Sequence, residues 1–273
     1  MPDIELPCEE EHCRVIKEEF KKQFEFAKSA WRISMMVIMP DERVGVGKGE
    51  PLTLCLAAAY VKQMRLFYAV YRLCEKGLGE ESNLQVRAMF ELYVRLRYLV
   101  AKAPDKDEFS RRWMMWAMAN DKKFIDAMEK YFPGKPDPRF NLWKELVKKE
   151  SEKMTPDEWK AFVRDGPWGC NLADLSEKVE SEGNYRVMYP FLSGTTHGYD
   201  LFRYARRKGE EATELDITPT VRCADQNLVA AMSLLHDSLI LINVGLGLGK
   251  EKPIEDVGKL VKALTVERTP PPM

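Results

Sequence analysis

Residues 52–76 read LTLCLAAAYVKQMRLFYAVYRLCEK, an unbroken run in which apolar side chains recur every three or four positions. That period matches one face of an α-helix and mismatches a strand, whose side chains alternate. The same signal returns along most of the chain. It covers residues 9–38 and stops before Pro40, then 82–102 and stops before Pro104, then a Trp- and Met-rich stretch at 108–131. Proline disfavours helical geometry in the residue before it, so these stops are physical. Beyond the punctuation PGKPDP at 133–138, shorter periods appear at 141–153, 155–163 and 171–179, and longer ones at 190–208, 224–244 and 254–264. Thr155-Pro156-Asp157-Glu158 is a capping box with proline at the first helical position. No alternating run is long enough to found a sheet, and Leu215-Asp216-Ile217 is too short. The expected fold is all-α. It is a compact multi-helix bundle forming one domain over 1–265, with an irregular helical insertion near 133–170 and a loose tail at 266–273.

Charge and composition narrow the function classes. Lys and Arg total 42 against 43 Asp and Glu, for a net charge of -1, which excludes a bulk polycation that coats nucleic acid or anionic lipid. Only a local basic patch is compatible with that balance. Hydrophobic residues at 45% and charged residues at 31% fit a globular chain. The first residues, MPDIELPCEEEHC, lack the basic-then-apolar layout of a secretory signal. Residues 228–248 are the most membrane-like, but His236 and Asp237 stand in the middle, where charge in lipid is costly. A buried helix, no membrane partner and a cytoplasmic address are therefore expected. The six cysteines are scattered, and Cys8, His12 and Cys13 lack a second ligand pair at metal-like spacing. No metal and no cofactor is expected. The glycine runs at 45–49 and 245–249 lack the full spacing, the Ser/Thr after Lys and the preceding strand of a phosphate loop.

Two stripes carry the chemistry. Arg87, Glu91 and Arg95 fall at i, i+4 and i+8 on one helix, with Tyr98 on the same line. Tyr189, Ser193 and His197 repeat that spacing on a later one, and a regular helix would extend the stripe to Asp200, Tyr204 and Arg207. Gly194, Thr195 and Thr196 are poor helix formers within that run, a cost tolerated where another backbone comes close. The chain has only 3 histidines, so His197 stands out. Arg203, Arg206, Arg207 and Lys208, interleaved with Phe202 and Tyr204, add a local positive run.

Arg87-Ala-Met-Phe-Glu91, then Trp168, Leu172-Ala-Asp-Leu, and Tyr189-Pro-Phe-Leu-Ser193-Gly-Thr-Thr-His197-Gly198 follow one another in an order that resembles an uncharacterised all-helical bacterial family. Its members share Arg-x-x-x-Glu on one helix and Tyr-x-x-x-Ser-x-x-x-His on a later one. The resemblance spans residues 50–205. That family is similar in turn to HEPN-type helical proteins, many of them metal-independent ribonucleases. The resemblance implies a HEPN-like core and an anionic or nucleic-acid substrate. This sequence departs from the ribonuclease pattern, because no arginine lies four to six residues before any histidine.

The resulting expectation places Arg87, Glu91 and His197 as catalytic residues, with Tyr189, Ser193, Arg95 and Arg207 binding substrate. An imidazole titrates near neutrality and suits a general base, while the forked guanidinium donors suit phosphate. The competing expectation makes the cluster a buried polar lock in a helical scaffold or defence-system accessory protein, with the Trp113–Met118 stretch facing a partner or the core. A second copy of the chain is a further partner class. A third arrangement resembles the HD-type metal phosphohydrolases, with His236-Asp237 joined by His197 and Asp256, but it lacks upstream ligands. In that case His236-Asp237 is expected to make an interhelical hydrogen bond instead.

Overall fold

A computed structural model describes residues 9–38, 50–131, 138–197, 205–208, 212–215 and 222–266. Eleven helices appear among them: α1 (Glu9–Glu19), α2 (Lys21–Ile38), α3 (Pro51–Glu75), α4 (Asn83–Ala101), α5 (Lys106–Tyr131), α6 (Pro138–Ser151), α7 (Pro156–Asp165), α8 (Leu172–Lys178), α9 (Glu182–His197), α10 (Ala224–Leu246) and α11 (Glu251–Val266). A 3-10 turn, Gly166–Trp168, links α7 to α8. The fold is all-α. The one strand pair among the described residues is a short antiparallel ribbon of β1 (Ala205–Lys208) and β2 (Ala212–Leu215).

α10 is the hub. It packs on α3, α4, α11 and α2, while α3 and α4 also pair with each other. This helix is long and apolar enough to cross a membrane by length and composition, yet 56% of its apolar window is buried in the bundle. Leu228, Met232, Leu235 and Leu239 are fully enclosed, as are Tyr60 and Phe67 of α3 and Met89, Phe90, Leu96 and Leu99 of α4. Polar pins fix the register of this core. Gln63 donates to the Met89 carbonyl at 3.2 Å and to Ser238 at 2.6 Å, joining α3, α4 and α10. Asn227 donates to the Gly79 carbonyl at 2.7 Å, to Ser82 at 2.7 Å and to Asn83 at 2.8 Å. Buried amides are costly unless their hydrogen bonds are met, so such contacts select one register over its neighbours.

The outer elements hang from that core. α8 and α9 lie on α4, α5 lies on α3 and α4, and α6 and α7 lie on α5. The Thr155 capping box forms as the sequence predicts, with Glu158 N–H donating to Thr155 Oγ1 at 3.3 Å and Thr155 N–H to Glu158 Oε2 at 2.8 Å. Gly247 closes α10 in the left-handed conformation, which disposes of the second glycine run as a helix cap. The first glycine run, at 45–49, lies outside the described residues.

Three expectations need correction. The single helix over 9–38 divides at Phe20 into α1 and α2. The helix placed at 190–208 begins earlier, at Glu182, its described part ends at His197, and Pro190 lies inside it. Proline usually breaks a helix by removing one backbone donor. Here the packing of Tyr185, Tyr189 and Leu192 against the core offsets that loss. Past residues 198–204, which lie outside the described set, Ala205–Lys208 is extended and paired, so Arg207 is not on the helical stripe. Leu215, the first residue of the short segment at 215–217, closes that two-stranded ribbon, and no larger sheet forms among the described residues.

Candidate functional site

α4 presents Arg87, Glu91 and Arg95 on the edge left between its buried faces, because Val86, Met89, Phe90, Val94 and Leu96 turn into the core. The three charged side chains are half-sheltered, at 19%, 22% and 23% exposure. Arg87 Nε donates to Glu91 Oε1 at 3.1 Å, and Arg95 donates to Glu91 Oε2 at 3.3 Å. One carboxylate thus serves two guanidiniums. α9 crosses this edge and brings Tyr189 onto Arg87. The guanidinium donates to the phenol oxygen, and its carbon lies 4.5 Å from the ring centroid. Tyr185 stacks on Tyr189 at 4.7 Å.

The other end of the stripe is aromatic. Arg95 sits 5.3 Å from the Trp168 ring and 5.6 Å from the Trp116 ring, within cation–π range. Trp168 in turn meets Trp113 and Trp116 edge-on at 5.3 Å each. The turn that delivers it depends on Gly166, at φ 69°, where a Cβ would fall 2.5 Å from the Trp168 ring. Trp168 Nε1 is buried without a hydrogen-bond partner among the described residues. Trp113 and Trp116, both half-buried, therefore pack on Trp168.

Burial pulls the Arg95 guanidinium below its ordinary range, against the opposing pull of Glu91. Burial, and then the Glu91 charge, push the Tyr189 phenol up, so it stays a neutral hydroxyl through the physiological range. Ser193 is buried, and its hydroxyl donates to the Tyr189 carbonyl of its own helix at 2.6 Å. His197 is the last described residue of α9, one turn past Ser193. The side chains at 194–197 fall outside the described set, as does that of Arg207.

Arg87, Glu91, Arg95 and Tyr189 therefore meet as the spacing predicts, while the contacts of His197 and Arg207 lie outside the description. Trp116, which the sequence marked only as part of the Trp113–Met118 stretch, and Tyr185, which carried no signal beyond an ordinary amphipathic period, complete the site. Among the described residues no group of three His, Cys, Asp or Glu side chains could hold a metal. His236 Nδ1 is 3.1 Å from Asp237 Oδ1, its neighbour on α10, so the expected interhelical bond is an intrahelical one. The imidazole edge abuts Gly258 of α11, where a Cβ would lie 2.7 Å from Nε2. Asp256 pairs with Lys259 at 2.6 Å.

These features define an all-helical bundle with a half-buried arginine–glutamate–arginine stripe clasped by tyrosines and tryptophans. The chain belongs to the family of unknown function DUF5677, whose model matches residues 54–212. That span begins in α3, ends in β2 and contains every residue of the site. No curated protein and no solved structure matches the chain.

Proposed function

We propose that the α4–α9 edge binds a phosphate-bearing substrate such as RNA, and that His197 serves as general base for its metal-free cleavage. The observation that carries the reading is the convergence of two half-sheltered guanidiniums, Arg87 and Arg95, on Glu91 beside the Tyr189 hydroxyl. Half-sheltered from water, these guanidiniums are poorly screened and suit an anion. The forked donors of Arg87 and Arg95 suit phosphate oxygens. Tyr189, held neutral, keeps a hydroxyl for the same ligand. The motif likeness to HEPN-type helical proteins points to the same substrate class, and a cytoplasmic address agrees with it.

A second reading has its own support. Arg87 already reaches across to Tyr189, and the Ser193 hydroxyl is spent on its own helix, as in a polar lock that fixes α9 on α4. Two substitutions separate the readings. With a labelled single-stranded RNA and the metal chelated, His197→Ala abolishes cleavage without lowering Tm if the site is catalytic. Arg95→Gln then weakens inorganic pyrophosphate binding about tenfold, read by calorimetry. A lock predicts the opposite: the wild-type chain neither cleaves RNA nor binds pyrophosphate through Arg95, and Arg87→Gln lowers Tm by several degrees.

A further inference from the structure

The sequence places 43 acids in 273 residues, yet none falls at 26–38 or 51–74, the stretches that build most of α2 and nearly all of α3. The same stretches hold Lys28, Arg32, Lys62, Arg65 and Arg72. Arg72 reaches Glu75, just past the acid-free run, and Glu75 also takes Lys17 at 2.9 Å. Lys28, Arg32, Lys62 and Arg65 are exposed and make no ion pair with a described carboxylate. A chain with net charge -1 thus concentrates uncompensated cations on one pair of helices.

Between those cations lie aromatic walls. One cavity of about 330 Å³ is bounded by Lys28, Trp31, Arg32, Tyr68, Tyr71 and Arg72, with Phe67 and the ion-paired Glu75 completing its lining. A second, of about 350 Å³, shares Trp31 and Tyr68 and continues past Met35 and Arg65. The Trp31 and Tyr68 rings stand 5.9 Å apart at 38°, and Tyr68 is 49% exposed. Val61, Arg65, Tyr68 and Arg72 follow helical spacing along α3, a stripe about 17 Å long at the usual helical rise. Lys28, Trp31, Arg32 and Met35 form the matching wall on α2.

We propose that this groove between α2 and α3 is a binding track for single-stranded nucleic acid. Bases stack on Tyr68 and Trp31, and Lys28, Arg32 and Arg65 take the phosphates. The exposed Tyr68 ring and the partly buried Trp31 ring, flanked by cations without a described carboxylate, fit a flexible strand whose bases are free to stack. The groove is separate from the Arg87 stripe, and α2 lies outside the family match, so the track stands without the α4–α9 reading.

The test is fluorescence anisotropy of the full chain with labelled ten-residue oligouridylate, followed across salt, with a duplex of equal length as control. Wild type binds the single strand more tightly than the duplex. Tyr68→Ala weakens it about tenfold. Arg32→Glu with Arg65→Glu weakens it more and lowers the salt slope by roughly one to two units. Lys148→Gln, an exposed charge change on α6 outside both sites, leaves the affinity unchanged, which separates the groove from a general loss of positive charge. Circular dichroism melting checks that these exposed substitutions leave the fold intact, and a lone Arg65→Gln serves if the double variant does not fold. The proposal is overturned if wild type fails to bind, if duplex binds equally well, or if Tyr68→Ala and the charge variants bind as wild type does.

Discussion

Gly79 shows how much one residue can decide. It sits between α3 and α4, where a Cβ would lie 2.2 Å from the Arg222 carbonyl and 2.7 Å from the Ala224 amide. Both neighbours are backbone at the start of α10, so neither can rotate aside. Gly79→Ala is expected to destabilise the chain by about 1–3 kcal/mol, measured by denaturant unfolding. The Gly79 carbonyl also accepts from Ser82 at 2.6 Å and from Asn227 at 2.7 Å, so a shift there loosens both contacts. The sequence marks Gly79 only as a helix stop. Its close approach to residues more than a hundred positions later is a contact that no local pattern announces. Arg87 and Glu91 differ in this respect, because their i,i+4 spacing dictates the ion pair within one helix.

At the scale of the element, α9 is the most informative helix. Its inner side is held by Leu192, by the Tyr185–Tyr189 stack and by the bond from Arg87. Its outer side exposes Val187 at 75% and Phe191 at 43%. Tyr189→Phe removes the acceptor for Arg87 and keeps the ring over the guanidinium. The expected cost is about 1 kcal/mol, with faster amide exchange in α9 than in α4 or α10. An unchanged exchange pattern would mean that ring packing alone holds the helix. Its upstream boundary was hidden by Pro190, which reads as a helix start although it sits mid-helix. Its downstream boundary was hidden because 199–208 keeps a plausible helical period, while pairing with β2 draws residues 205–208 into extended geometry. α3, by contrast, was legible to within a residue at each end. Its long period, the proline at its start and Gly77 after its end are all local signals.

For the whole molecule, the core leaves a pH signature. Burial pushes the thiols of Cys55 and Cys74 up to about 12, from 9.0 in an exposed cysteine. Raised folded values mean that their stabilising contribution is complete below pH 9 and is lost as pH climbs towards 12. The unfolding free energy is expected to fall over that window by at most roughly 1.4 kcal/mol per thiol per pH unit. Denaturant titrations at pH 8, 9.5 and 11 measure the slope, and Cys55→Ala and Cys74→Ala should each flatten it. The buried Tyr60 phenol, also pushed up, adds to the trend at its alkaline end. At pH 8 a thiol reagent should label the partly exposed Cys170 and Cys223 before either buried thiol. By itself the sequence determined that this chain is helical, where most helices begin and end, and which charged residues share a stripe, because hydrogen bonds and side-chain spacing within a helix act over a few residues. Only the tertiary structure decided that Trp168 and Trp116 cradle Arg95, that Tyr189 closes on Arg87, and that α2 and α3 frame an aromatic groove, because packing joins distant segments through shape and burial that no local period encodes.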